Sequence, residues 1–253
     1  MLERSEHGEI LELRLARPPA NALDPALIAA LADAVAAAPA AGARAIVISG
    51  SPGRFSGGLD VPALLQLDRP AMEQTLRDFF RLLRALAASP VPIVAAITGH
   101  APAGGAVISI FCDARIMAEG DFKIGLNEVQ VGLSLPRVIH SALVRVVGER
   151  QAERLSVAGL LVSASEALRI GLVDELVPVE AVVERALEQC RDLLKLPPRA
   201  MATTRALSRS GLVTAFDAQE ADTYERFVED WFGAETQGAM RALVARLQSK
   251  SRG

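Results

Sequence analysis

The stretch AIVISGSPGRFSGGLD, residues 45–60, decides the reading of the fold. It opens on an apolar run, Ala45 to Ile48, with no polar alternation. Such a run reads as a strand buried on both faces, the habit of parallel sheets. The strand ends in a loop with glycines at 50, 53, 57 and 58. A phosphate-binding loop of the GxxxxGK[ST] type would close on Lys and a hydroxyl residue. Leu59 and Asp60 stand there instead. The loop is therefore not of the phosphate-binding type, which raises the question of what else it could hold.

The same design recurs downstream. VPIVAAITG (91–99) reads as a second buried strand, and HAPAGGAVISIFCD (100–113) as a glycine turn opening an apolar helix. Ligands in α/β folds bind beyond the carboxyl ends of strands. Glycines there let backbone N–H groups come close, and helix N-termini add free N–H groups and partial positive charge. Two such loops facing each other would make a two-donor site for a developing oxyanion. Taken singly, each reads first as an ordinary tight turn.

Working outward, ILELRL (10–15) alternates as a half-buried strand. Asp24 followed by Pro25 starts a helix running to about Ala38, and Asp68 caps another over 70–88. ARIMA (114–118) and FKIG (122–125) are short strand candidates. GLNEVQVGLSLP (125–136) is a loop with one carboxylate, Glu128. Helices are expected over 136–147 and 149–159, then one capped by Ser163 or Ser165 and closed by Gly171. LVDELVP (172–178) is the last strand, and the chain beyond 179 is helical. The fold class is α/β: βαβα units on a parallel sheet, then a helical C-terminal third, with no fixed-period repeat.

Composition narrows the function classes. With 253 residues, 51% of them hydrophobic, the chain can bury a large core. A net charge of −3 without a basic patch argues against a nucleic-acid partner. Cys112 and Cys190 lie far apart and the three histidines are scattered, so no metal site and no disulfide framework is expected. No apolar run reaches the length of a membrane span. The N-terminus shows neither a signal core nor an Arg-rich leader, and the expected location is cytoplasmic.

Four separated segments then agree in order: VISGSPGRFSGGLDV, AAITGHAPAGGAV, CDARIMAEGDFKIGLNEVQVGL and AERLSVAGLLVSASEALRIGLVDELVP. Together they resemble the crotonase (enoyl-CoA hydratase/isomerase) superfamily. The forms FSGGLD, PAGG, CDARIMA and GLNE are most similar to its Δ3,Δ2-enoyl-CoA isomerases. The resemblance implies a ββα spiral core over 1–195 carrying an acyl-CoA site. It implies a helical trimerisation region over 196–253 and a homotrimer or dimer of trimers.

It also implies roles. The thioester oxygen would sit between the N–H groups of Leu59 and Gly104. Glu128 would be the catalytic base. Ser56, Gly57, Gly58, Asp60 and Asn127 would line the substrate, although Asp60 reads more readily as the cap of the next turn, and Ser56 as loop packing. Hydratases carry a second glutamate, and Val107 stands in its place. No cofactor or metal is implied, since CoA is part of the substrate. Arg54, Lys250 and Arg252 are candidate contacts for CoA phosphates, each read first as a solvated charge. Hydration or another crotonase-type reaction, and non-catalytic acyl-CoA binding, stand as the competing readings.

Overall fold

The computed structural model describes residues 1–217 and 220–250. Arg252 and the side chain of Lys250 lie outside the described residues. The chain begins with an antiparallel hairpin, β1 (Leu2–His7) and β2 (Ile10–Leu15), followed by α1 (Pro25–Ala37). Three ββα circuits follow. The first is β3 (Ala45–Ser49), β4 (Gly53–Arg54), α2 (Val61–Leu64) and α3 (Arg69–Ala88). The second is β5 (Ile93–Ile97), β6 (Gly99–Pro102) and α4 (Gly104–Ile110). The third is β7 (Ala114–Ala118), β8 (Lys123–Gly125), a 3₁₀ turn (Glu128–Val131) and α5 (Arg137–Val147). The chain goes on through α6 (Glu149–Val157), β9 (Val162–Ser163), α7 (Ala164–Arg169) and β10 (Glu175–Val177). Helices α8 (Val182–Leu194), α9 (Pro198–Asp217), α10 (Glu220–Phe232) and α11 (Ala234–Lys250) complete it.

Each circuit leaves one strand in each of two sheets. The larger sheet runs β1-β2-β3-β5-β7-β10 and the smaller β4-β6-β8-β9. Strands β2, β3, β5, β7 and β10 are parallel, as are β4, β6 and β8. The apolar run of β3 now has its reason. Ile46 and Ile48 face one core, shared with α1 and α3, while Ala45 and Val47 face another, shared with α8. β5 divides the same way, Ile93, Ala95 and Ile97 to one side and Val94 and Ala96 to the other.

The helix starts follow the expected capping chemistry. Asp24 accepts from the N–H of Leu27 at 2.8 Å, Asp68 from Ala71 at 3.0 Å, and Ser163 from Glu166 at 3.2 Å. The expected apolar face of α3 is buried from Met72 to Ala87. Two features differ from the sequence reading. The glycine loops do not follow β3 and β5 directly, because β4 and β6 intervene and build the second sheet. Strands of two to four residues are too short for a period to register. The first strand, LERSEH, was also not legible: its middle four residues are exposed, and charge on an edge strand hides the pattern.

The C-terminal helices pack back onto their own chain. Arg205 and Arg209 of α9 are buried and both pair with Asp113. Trp231 of α10 is fully buried among Leu64, Met72, Leu76 and Leu133. Among the described residues no helix is long and apolar enough to cross a membrane.

Candidate active site

The three segments singled out in the sequence leave three neighbouring strands. FSGGLD follows β4, PAGG closes β6, and GLNE follows β8. These strands are adjacent and parallel, so the segments emerge from one end of the smaller sheet. Two strand spacings of roughly 4.8 Å separate the outer pair. The N–H of Ala103 bonds the carbonyl of Gly125 at 2.8 Å, which ties the second segment to the third.

The direction of the Leu59 amide follows from its neighbours. Leu23 and Leu59 form a parallel bridge in which the N–H of Leu23 bonds the carbonyl of Gly58 (2.8 Å). The N–H of Asp60 bonds the carbonyl of Leu23 (3.0 Å). In such a bridge the residue between carbonyl and N–H turns its own N–H the other way. That way lies α4: a methyl built on Gly58 would sit 3.0 Å from the nitrogen of Gly104. Gly104 is the first residue of α4, so its N–H has no partner within the helix. Among the described residues neither nitrogen donates a hydrogen bond. Two free N–H groups thus border one space.

Both sides of that space are closely packed. Gly58 has φ +82°, and a Cβ there would meet Ala103 Cβ at 2.9 Å. A Cβ on Gly104 would meet Leu23 Cδ1 at 2.9 Å and lie 3.4 Å from the Leu59 nitrogen, filling the gap itself. Ala103, just ahead of the helix, holds φ 47° and ψ −121°, a strained setting for a residue with a Cβ.

Glu128 opens the 3₁₀ turn, closed by Gly132 in the left-handed region. The residue is half-buried as a whole, but its Oε2 is shut off from solvent and has no hydrogen-bond partner. Burial pushes its carboxyl up to about 7, against a smaller lowering from a backbone hydrogen bond. It lines a cavity of about 200 Å³ with Leu126, Val129, Leu133, Leu135 and Val157. Among the described residues lining that cavity it is the one acid, with Ser134 and Ser156 the other polar residues.

Ser56 is fully buried, donates to the carbonyl of Asn21 (2.8 Å) and accepts from the N–H of Gly58 (3.2 Å). Its side chain therefore shapes the loop. Asp60 caps α2 through Ala63 (3.1 Å) and pairs with Arg17 (2.6 Å), so the capping reading holds for its carboxylate rather than a substrate contact. The N–H of Gly57 is taken by the carbonyl of Ala20 (2.7 Å). Asn127 precedes the turn, with Oδ1 buried and unpartnered, and it does not line the cavity. Val107 is buried in α4. The Nδ1 of His100 accepts from the N–H of Lys123 (3.1 Å), which gives it a place in the sheet.

Two groups of residues escaped the sequence reading. Arg17 and Asn21 lie in ARPPANALDP, which showed only a broken pattern. Thr236 of α11 donates to the carbonyl of Gly132 (2.7 Å), and Ser134 meets Asp230 of α10 (2.5 Å). The C-terminal helices thus prop the turn that carries Glu128 from about a hundred residues away, with no local signal.

The family model described as enoyl-CoA hydratase/isomerase matches residues 5–242. The mitochondrial enoyl-CoA delta isomerase 1 of Homo sapiens is 32% identical over 206 residues, 81% of this chain and 68% of that protein. A probable enoyl-CoA hydratase of Mycobacterium tuberculosis is 32% identical over 206 residues, 80% of this chain and 77% of its own. The crystal structure of the human mitochondrial delta3-delta2-enoyl-CoA isomerase superposes with a TM-score of 0.93 at 28% identity, covering 99% of this chain and 98% of that one.

Proposed function

The chain belongs to the enoyl-CoA hydratase/isomerase family, and from that premise we propose that it is a Δ3,Δ2-enoyl-CoA isomerase. The family acts on acyl-CoA thioesters. The finer assignment rests on one observation. Among the described residues lining the cavity at the Glu128 turn, Glu128 is the single acid, desolvated and with a free Oε2.

In the proposed reaction the Glu128 carboxylate takes a proton from C2 of a 3-enoyl-CoA. The electron pair moves through the carbonyl onto the thioester oxygen, where the N–H groups of Leu59 and Gly104 receive the charge. Each such donor typically supplies roughly 3–4 kcal/mol of transition-state stabilisation. The protonated Glu128 then returns the proton to C4, and the double bond closes between C2 and C3. The enzyme ends as it began. A carboxyl group with a pKa of about 7 suits both halves of that shuttle near neutral pH. The balance needs no metal or redox cofactor, and CoA arrives and leaves as part of the substrate.

Hydration of 2-enoyl-CoA is the second reading, since some relatives carry hydratase names. It needs a second group to hold and split water, and at the matching place Val107 is apolar and buried. The test is a panel of 3-enoyl- and 2-enoyl-CoA substrates. Conjugated-thioester absorbance rising from 3-enoyl-CoA supports the isomerase. Its loss from 2-enoyl-CoA at a faster rate makes the protein a hydratase. A homotrimer or dimer of trimers, working in the cytoplasm, completes the proposal, and the solution mass tests the assembly.

A further inference from the structure

Asn21 is buried to 1% exposure in a loop that has no place in the proposed chemistry. Its side chain is nonetheless fully used. Nδ2 donates to the carbonyls of Arg54 (3.0 Å) and Phe55 (3.2 Å), with Ser51 Oγ at 3.4 Å. Oδ1 accepts from the N–H of Arg17 (2.9 Å). The main-chain carbonyl accepts from Ser56 Oγ (2.8 Å), which in turn accepts from the N–H of Gly58 (3.2 Å). One residue therefore fixes the oxyanion loop from residue 54 to residue 58.

All these bonds lie on the face of the loop that looks towards residues 17–24. The flanking residues Ala20 and Leu23 bond the same face, through Gly57, Gly58 and Asp60. The opposite face keeps the Leu59 N–H. The backing segment is itself anchored, because Arg17 pairs with Asp24, the cap of α1, at 2.9 Å and with Asp60 at 2.6 Å. Asn21 also holds φ +49°. Among the described residues only Ala103 shares a positive φ without being glycine, and Ala103 sits against the second donor. Strained backbone of this kind persists where surrounding contacts over-determine it.

We propose that Asn21 is the positioning residue of the oxyanion site: it aims the Leu59 amide without touching substrate. The inference rests on the oxyanion role given above to Leu59 and Gly104. Its test uses a para-dimethylaminocinnamoyl-CoA, a conjugated thioester with no hydrogen on C4 and therefore no isomerisation. Donors aimed at its carbonyl oxygen draw charge across the chromophore and move its absorbance to longer wavelength.

Wild-type protein is expected to show that shift. Asn21→Asp keeps the shape and the acceptor for Arg17 but loses both N–H donors, and Asn21→Ala loses the side chain. Both are expected to lose at least about half of the shift while binding the probe within about threefold. Turnover of 3-enoyl-CoA should fall about tenfold or more in kcat, with KM within about threefold. A shift and a kcat equal to wild type in both variants would overturn the role of Asn21 alone. No shift in the wild type would overturn the oxyanion reading, and this role with it. Should circular dichroism show both variants unfolded, Ser56→Ala breaks the same relay without a large cavity. A diminished shift in it supports the proposal, and an undiminished one overturns it.

Discussion

The two glycine loops proposed to hold the oxyanion and the Glu128 turn sit at the same end of one sheet and are built by opposite means. The loops act through backbone. In the first loop Gly57, Gly58 and Asp60 bond residues 20–23 on the side away from the Leu59 N–H, and a methyl group on Gly58 or Gly104 would crowd the gap between the loops. The turn acts through one side chain, left without a partner for Oε2 and held from outside by α10 and α11. A backbone donor is protected from changes in its own side chain and exposed to any added Cβ nearby. A desolvated carboxylate is exposed to the change of a single atom, and its burial has a cost in stability.

The largest difference should appear when each region is hit directly. Glu128→Gln keeps the shape and removes the base, and isomerase kcat is expected to fall by about 10³-fold or more, as for loss of a general base. On the backbone side, Gly58→Ala and Gly104→Ala should lower kcat by about 10²-fold or more, because the new Cβ displaces a donor. Leu59→Ala should change kcat by less than about tenfold, since only its amide is used. Steady-state kinetics on one 3-enoyl-CoA read all four. A Leu59→Ala loss as deep as that of Gly104→Ala would erase the contrast.

Proton linkage gives the next effect. The carboxyl of Glu128 is raised to about 7, so kcat/KM should climb with pH through that value and level off above it. For stability the sign is opposite. Between about pH 4.5 and 7 the folded state holds a proton the unfolded chain has lost, so this group's contribution falls as pH rises across that window. Glu128→Gln should therefore be more stable than wild type at pH 8, by about 2–3 kcal/mol, with the gain shrinking towards pH 5. Thermal unfolding at both pH values checks this. The smallest effect is on the strained turn. Ala103→Gly relieves a positive φ and is expected to add about 1 kcal/mol of stability in denaturant unfolding.

The same contrast governs what could be read in the sequence. β3 and β5 were legible because burial on both faces leaves an unbroken apolar run. Asp24, Asp68 and Ser163 were legible because capping is local. FSGGLD, PAGG and GLNE were legible as motifs and FKIG as a short strand, yet the separate sheet was not, since β4 and β6 span only two and four residues. Asn21 was hidden because its partners in the loop lie thirty or more positions away and leave no period. The support of Glu128 by Thr236 was hidden for the same reason. Local chemistry shows in a sequence, and the contacts that aim it across the fold do not.

The central claim is that one shielded carboxylate carries a proton from C2 to C4. The most direct measurement is isomerisation of a 3-enoyl-CoA in D₂O, stopped early and followed by mass and deuterium position in the product. The expected product is a conjugated 2-enoyl-CoA with mostly substrate-derived hydrogen at C4. A product with solvent deuterium throughout C4, or a 3-hydroxyacyl-CoA in its place, would contradict it.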